Sequence, residues 1–182
     1  RLVVLGAGES GVGAALLGQQ QGYHVWVSDS GSIKAAYKNV LTHHEIDWEE
    51  GGHTATEIFN ASLVVKSPGI PDTVPLVLAL RDQGVPLVDE VEFAAQFTNA
   101  TLIGITGSNG KTTTTLMVQQ LLESAQYAYK MGGNIGISFA KLVYESNLDG
   151  APKVDYYVLE LSSFQLDHID RFRPHIAIIT NI

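Results

Sequence analysis

The sequence predicts an α/β fold built from parallel βαβ units, and three observations carry that prediction. Short apolar or β-branched runs alternate with helix-length segments along the whole chain. Most of these runs are continuous, as in strands covered on both faces, and do not alternate with polar residues. Two of the strand-to-helix junctions are glycine-rich, which lets backbone amides approach a ligand closely.

In chain order, the apolar runs predict strands at Leu2 to Leu5, His24 to Ser28, Ala61 to Lys66, Pro86 to Val88, Thr101 to Thr106, Val154 to Glu160 and Ile176 to Thr180. Helices are predicted at Gly11 to Gln21, Val74 to Asp82, Glu90 to Gln96, Thr112 to Ser124 and Ile137 to Tyr144. In the Thr112 segment, Leu116, Val118, Leu121 and Leu122 lie mostly on one helical face, expected to pack on a sheet. Phe93 and Phe97 read as core. Asp89, Glu90 and Glu92 read as acidic residues of a helix's first turn, where carboxylates suit the dipole. His43, His44 and His53 lie among Glu45, Asp47, Glu49 and Glu50, and with no ligand spacing they read as a solvated loop. His168, between Asp167 and Asp170, reads as a surface histidine. A polar stretch at Thr98 to Ala100 marks the expected boundary between two domains, 1–98 and 99–182.

Apolar residues make up 45% and charged residues 16% of the 182, an ordinary folded composition. The absence of cysteine removes disulfides, thiolate metal sites and cysteine nucleophiles, and fits a reducing cytoplasm. A formal charge of −8 argues against broad nucleic-acid binding, so an anionic ligand needs a local site. No apolar run approaches the roughly 18 residues of a membrane span. The expectation is a cytoplasmic monomer without nucleic-acid or membrane partners. The chain opens at Arg1 inside a strand-like run and stops just after another, so both ends read as cut.

The first glycine loop is Gly6-Ala7-Gly8-Glu9-Ser10-Gly11, after a strand and opening a helix. Its amides can hold a diphosphate on the positive end of that helix, and Asp29, ending the second strand, stands near the spacing for a ribose or base contact. Alone, the motif fits a dinucleotide such as NAD or FAD, another nucleotide diphosphate, or a structural turn. The second loop is Thr106-Gly107-Ser108-Asn109-Gly110-Lys111-Thr112, again between an apolar strand and a helix. Its amides would wrap the phosphates of ATP, Lys111 would neutralise charge on a transferred phosphoryl group, and the Thr112 hydroxyl would hold Mg²⁺. It departs from the standard phosphate loop because Gly104 stands one residue too far from Gly110.

This second string resembles the Mur ligases, ATP-dependent amide ligases of peptidoglycan synthesis. Three further segments match that family in order: Ser67-Pro68-Gly69-Ile70, Gly132-Gly133-Asn134-Ile135-Gly136 and Leu159-Glu160-Leu161-Ser162-Ser163-Phe164-Gln165-Leu166. The last string is most similar to the branch that adds D-glutamate to UDP-N-acetylmuramoyl-L-alanine. The resemblance implies a Rossmann-like parallel-sheet N-terminal domain for a UDP-sugar, followed by the first part of a P-loop-type α/β ATPase domain.

By that resemblance, Gly8, Glu9, Ser10, Gly11, Asp29, Ser30, Ser67, Pro68 and Gly69 contact the UDP-substrate, with Asn134 and Ser162 near its acyl end. Thr106 to Thr112 and Thr113 bind ATP; Lys111, Glu160 and Asn134 are catalytic; Thr112 and Glu160 hold Mg²⁺. The residue-level alternatives are a plain turn at Ser-Pro-Gly, a solvent-facing charge at Glu160 and a turn asparagine at Asn134. The family's second-metal histidine, its modified lysine and its amino-acid-binding C-terminal domain would lie beyond Ile182, so the chain is expected to be an incomplete, inactive fragment. The rival readings are another Mur ligase or a folylpolyglutamate synthase relative, a dinucleotide-binding oxidoreductase or sensor, and a non-catalytic binding fragment.

Overall fold

A computed structural model describes residues 1–167 and 169–182; the surface histidine expected at His168 lies outside the described residues. The chain is an α/β protein with two wholly parallel sheets. The first half runs β1 (Leu2–Leu5), α1 (Glu9–Gln20), β2 (Val25–Asp29), α2 (Ala35–His43), β3 (Asp47–Glu50), α3 (Ala55–Ile58), β4 (Leu63–Lys66), α4 (Pro75–Asp82), β5 (Leu87–Asp89) and α5 (Glu90–Ala95). The second runs β6 (Thr101–Thr106), α6 (Lys111–Ser124), β7 (Tyr129–Gly133), α7 (Phe139–Ser146), β8 (Tyr156–Glu160), a 3₁₀ turn at Ser163–Leu166 and β9 (Ile176–Ile179). The strand orders are β3-β2-β1-β4-β5 and β7-β8-β6-β9, and the sheets fall on either side of residues 98–100. Among the described residues, no helix is long and apolar enough to cross a membrane.

β1 is the centre of the first sheet, and all four of its residues are buried. One apolar cluster covers a face of each sheet and joins them, running from Leu2, Val4, Leu16 and Leu17 through Phe93 to Phe139, Leu142, Tyr157 and Leu159. Phe93 meets Phe97 edge to face at 5.1 Å between centroids, and Phe139 meets Tyr157 at 5.2 Å. Helix α1 is buried almost all round because it lies between its own sheet and α7. A Cβ on Gly13 would come within 2.4 Å of Ser138 Oγ and 2.9 Å of Lys141 N. That close approach explains a helix-interior glycine that costs up to about 1 kcal/mol in intrinsic propensity.

Several sequence expectations are corrected. The acidic stretch is not a solvated loop, since Asp47–Glu50 pairs with β2 and Glu49 accepts from Ser28 Oγ (2.6 Å), Thr54 N (2.9 Å) and Thr54 Oγ1 (2.5 Å). Asp89, Glu90 and Glu92 do open a helix as expected, with Asp89 preceding α5 and both glutamates in its first turn, but all three are buried. Glu92 Oε2 accepts from the backbone N–H groups of Asp170 (3.0 Å), Arg171 (3.0 Å) and Phe172 (2.8 Å), while Glu90 Oε1 accepts from Ala140 N. These carboxylates of α5 thus serve amides of the second half of the chain. Of the four apolar residues expected on the packed face of α6, Leu122 is buried and Val118 half-buried, while Leu116 and Leu121 are 49% and 70% exposed, because the arc that meets the sheet is narrower than the apolar pattern. β9, expected as a strand, forms one edge of the second sheet among the described residues.

Candidate functional site

In the first sheet the strand order reverses between β1 and β4, so a crevice opens beyond their carboxyl ends. The glycine loop follows β1 and the Ser-Pro-Gly loop follows β4, and the structure brings them together. Ser67 N donates to Leu5 O at 3.0 Å, and Ser67 Oγ to Gly6 O at 3.4 Å. The Ser67-Pro68-Gly69 turn closes through Ile70 N to Ser67 O at 3.0 Å. Beneath it lies Lys66, expected only as the end of a strand and here a buried cation. Its Nζ donates to Ile70 O at 2.9 Å and pairs with Asp72 at 3.6 Å and Asp89 at 3.7 Å.

Gly8 precedes α1 with no side chain capping the helix, so the amides of Glu9, Ser10 and Gly11 are available to an anion. Asp29 is more than a ligand-facing strand end: Oδ2 accepts from Ala7 N at 2.7 Å and Oδ1 from Gly31 N at 2.8 Å, tying the glycine loop to the turn after β2. Asp29 and Ser30 line a cavity of about 450 Å³ with Gly6, His53, Ile70 and Val74. His53, set aside in the sequence reading, therefore belongs to this pocket.

The second loop follows β6, the strand flanked by β8 and β9. Gly107 has φ +136°, and a Cβ there would lie 2.2 Å from Thr180 Oγ1, so both conformation and space require glycine. Thr180, expected as the last residue of a strand, and Asn181 beside it brace this loop. Thr180 Oγ1 donates to Asn109 O at 2.5 Å, Asn181 Nδ2 donates to the same carbonyl at 3.0 Å, and Asn181 Oδ1 accepts from Asn109 N at 3.0 Å. Gly110 turns the chain into α6 at φ +84° without a side-chain cap. Lys111 folds back over the loop, its Nζ donating to Gly107 O at 2.6 Å and to Ser108 O at 3.4 Å. An ammonium has three N–H bonds, which leaves one for a phosphate oxygen.

Thr112 Oγ1 donates to Glu160 Oε2 at 2.8 Å across from the end of β8. Asn134 closes the other side, its Nδ2 3.5 Å from Glu160 Oε1 and its N 2.7 Å from Glu160 O. Thr113 is exposed on the first turn of α6. Ser162 N and Oγ both donate to Gln165 Oε1, at 3.0 and 3.1 Å, shaping the turn that carries Phe164. Ser162 and Phe164 line a cavity of about 480 Å³ with Thr106, Gly107, Ser108 and Lys111. A cavity of about 540 Å³ near Asn99, Tyr127 and Asp155 contains neither loop, and backbone amides rather than volume distinguish the site.

Among the described residues, no group of three or more His, Cys, Asp or Glu is placed to hold a metal ion. One carboxylate beside one hydroxyl nevertheless suits Mg²⁺, which takes most of its oxygens from phosphate and water. The glycine loop is tied to the second half of the chain: Ser138 Oγ, at the start of α7, donates to Glu9 O at 3.3 Å, and Lys141 Nζ lies 3.8 Å from Glu9 Oε1. A path of packed residues therefore leads from the glycine loop through the ends of α1 and α7 to Asn134 and Glu160.

Two parallel sheets, each with a glycine-rich strand-to-helix loop at its carboxyl edge, define an α/β protein with two candidate anion sites. The model of the MurD N-terminal domain matches residues 1–74, and that of the Mur ligase middle domain matches residues 105–182. The chain belongs to the Mur ligase family. It is 53% identical over all 182 residues to proteins from Christiangramia forsetii and Bacteroides fragilis, each named UDP-N-acetylmuramoylalanine–D-glutamate ligase. It spans about 40% of the length of those curated relatives. The fold is similar to a crystal structure of UDP-N-acetylmuramate:L-alanyl-gamma-D-glutamyl-meso-diaminopimelate ligase from Neisseria, with TM-score 0.62 and 21% identity over 99% of this chain and 60% of that one. UDP-N-acetylmuramate-alanine ligase from Thermotoga maritima matches with TM-score 0.58 and 23% identity, over 100% of this chain and 41% of that one.

Proposed function

We propose that these residues form the UDP-substrate station and the phosphate loop of an ATP- and Mg²⁺-dependent ligase that joins D-glutamate to UDP-N-acetylmuramoyl-L-alanine. On this reading residues 1–98 are a UDP-substrate-binding domain and 99–182 the first part of an ATP-binding domain. The observation that carries it is the meeting of Thr112, Glu160 and Asn134 beside Lys111, joined through α7 to the glycine loop. A dinucleotide oxidoreductase has no use for that second station, whereas a ligase that activates one end of a long UDP-sugar needs both.

The diphosphate would rest on the amides of Gly8 to Gly11, with Asp29 and Ser30 toward the nucleoside and Ser67 to Gly69 closing the crevice. The acyl end would then reach Asn134 and Ser162. Transfer of the γ-phosphoryl group to the substrate carboxylate makes an acyl phosphate, which the amine of D-glutamate attacks with loss of phosphate. Lys111 and the Thr106–Thr113 amides and hydroxyls orient the phosphates and offset the charge that develops on them, which is most of what a protein supplies in phosphoryl transfer. Thr112 and Glu160 would hold Mg²⁺, which would supply positive charge to offset that of the phosphates.

The test is calorimetric titration with UDP-N-acetylmuramoyl-L-alanine and with NADH. Heat from the first and none from the second is expected; tight NADH binding with no response to the UDP-sugar overturns the reading.

A further inference from the structure

Ser28 is completely buried in β2. Its Oγ lies 2.6 Å from Glu49 Oε1 on one side and 2.7 Å from His53 Nδ1 on the other. A hydroxyl has a single proton to give, so the direction of this relay depends on Glu49. Glu49 also accepts from Thr54 N, Thr54 Oγ1 and Trp26 Nε1. Burial alone would raise its carboxyl, but the bonds from Ser28, Thr54 and Trp26 outweigh burial and hold it below the usual carboxylate range. An ionised carboxylate is acceptor-only, so the Ser28 proton goes to Glu49 and the Ser28 lone pair takes the Nδ1–H of His53.

In the neutral ring this leaves Nε2 as a bare acceptor, with no protein partner among the described residues. His53 borders the same cavity of about 450 Å³ as Gly6, Asp29, Ser30, Ile70 and Val74. Ile70 and Val74 offer an apolar wall for a planar base, and His53 adds an acceptor whose direction is set by the buried relay behind it. A uracil ring presents an imide N3–H at its pairing edge, where cytosine presents an N3 lone pair.

We propose that His53 is a specificity-determining residue of the nucleotide pocket, its Nε2 accepting the N3–H of uracil and opposing the N3 lone pair of cytosine. This rests on the uridine reading of that pocket.

The experiment is calorimetry with UDP and CDP on the unmodified protein, His53→Ala and His53→Gln, with thermal midpoints confirming that each variant is folded. The unmodified protein is expected to prefer UDP by at least about tenfold, because a lone pair facing a lone pair forfeits a hydrogen bond. His53→Ala should weaken UDP roughly 3- to 10-fold and leave CDP nearly unchanged, bringing the ratio toward one. His53→Gln, whose amide can present either oxygen or nitrogen, should bind the two within a few-fold of each other. A ratio unchanged in His53→Ala while UDP still binds overturns the role of His53 and leaves the uridine reading standing. Failure of the unmodified protein to bind either UDP or the UDP-sugar removes the uridine reading, and the proposal with it.

Discussion

Replacing Glu90 by glutamine should change how stability depends on pH more than it changes stability at any one pH. Glu90 is completely buried where α5 meets α7, and burial, reinforced by the charges of Asp89 and Glu9, pushes its carboxyl up to about 7 despite the bond from Ala140 N. Its Oε2 has no hydrogen-bond partner among the described residues. Below the ordinary carboxyl value of 4.5 the group is protonated both folded and unfolded and exacts no penalty. As pH rises through the window from 4.5 to about 7 the unfolded chain ionises first, so the folded state loses stability progressively. Holding a proton over that interval corresponds to about 3 kcal/mol, fully expressed above the upper value. Glutamine removes the titration while its oxygen still accepts from Ala140 N; any cost of its buried amide is constant with pH and cancels. Urea unfolding followed by the fluorescence of Trp26 and Trp48, at about pH 4.5 and pH 8, measures both proteins. The variant should gain about 3 kcal/mol on the unmodified protein between those two conditions. Parallel profiles would refute the assignment of a buried, neutralised Glu90 at the junction of the two halves.

In the whole protein, Lys111→Ala should lower turnover by on the order of 10² to 10³ or more while UDP-sugar affinity stays nearly constant. Glu160→Ala should lose activity that is partly recovered at high Mg²⁺, unlike Lys111→Ala, and steady-state kinetics across a Mg²⁺ series separates the two. Asp29→Ala should weaken UDP binding in calorimetry and also lower the thermal midpoint, because it leaves the amides of Ala7 and Gly31 without their acceptor, a loss of about 1–3 kcal/mol for each amide that stays buried. An unchanged midpoint would mean that water replaces the carboxylate there.

The two glycine loops and the strands before them were legible because their signals are local: an apolar run, a glycine where the chain must turn sharply, and a lysine-threonine pair opening a helix. The loop motif marked Thr112, and the resemblance to the Mur ligases marked Asn134 and Glu160, but neither showed that the three converge. β3 escaped notice because Asp-Trp-Glu-Glu is a polar edge strand whose pairing with β2 leaves no apolar run. α2 and β7, only partly buried, were missed for a related reason.

What no local pattern could announce was the fate of the acidic residues. Glu90 and Glu92 have the spacing of an ordinary helix start. They are buried because amides at Ala140 and at Asp170 to Phe172, far along the chain, come to rest against them. Likewise the Ser28 hydroxyl acquires its direction only when Glu49 and His53 arrive on either side, and Asn109 its brace only when Thr180 and Asn181 return beside the loop. A short segment's periodicity records which of its faces avoids water. The partner of a polar atom is chosen by whichever distant segment the packing of the sheets and helices brings within about 3 Å, and that information is spread over the whole chain.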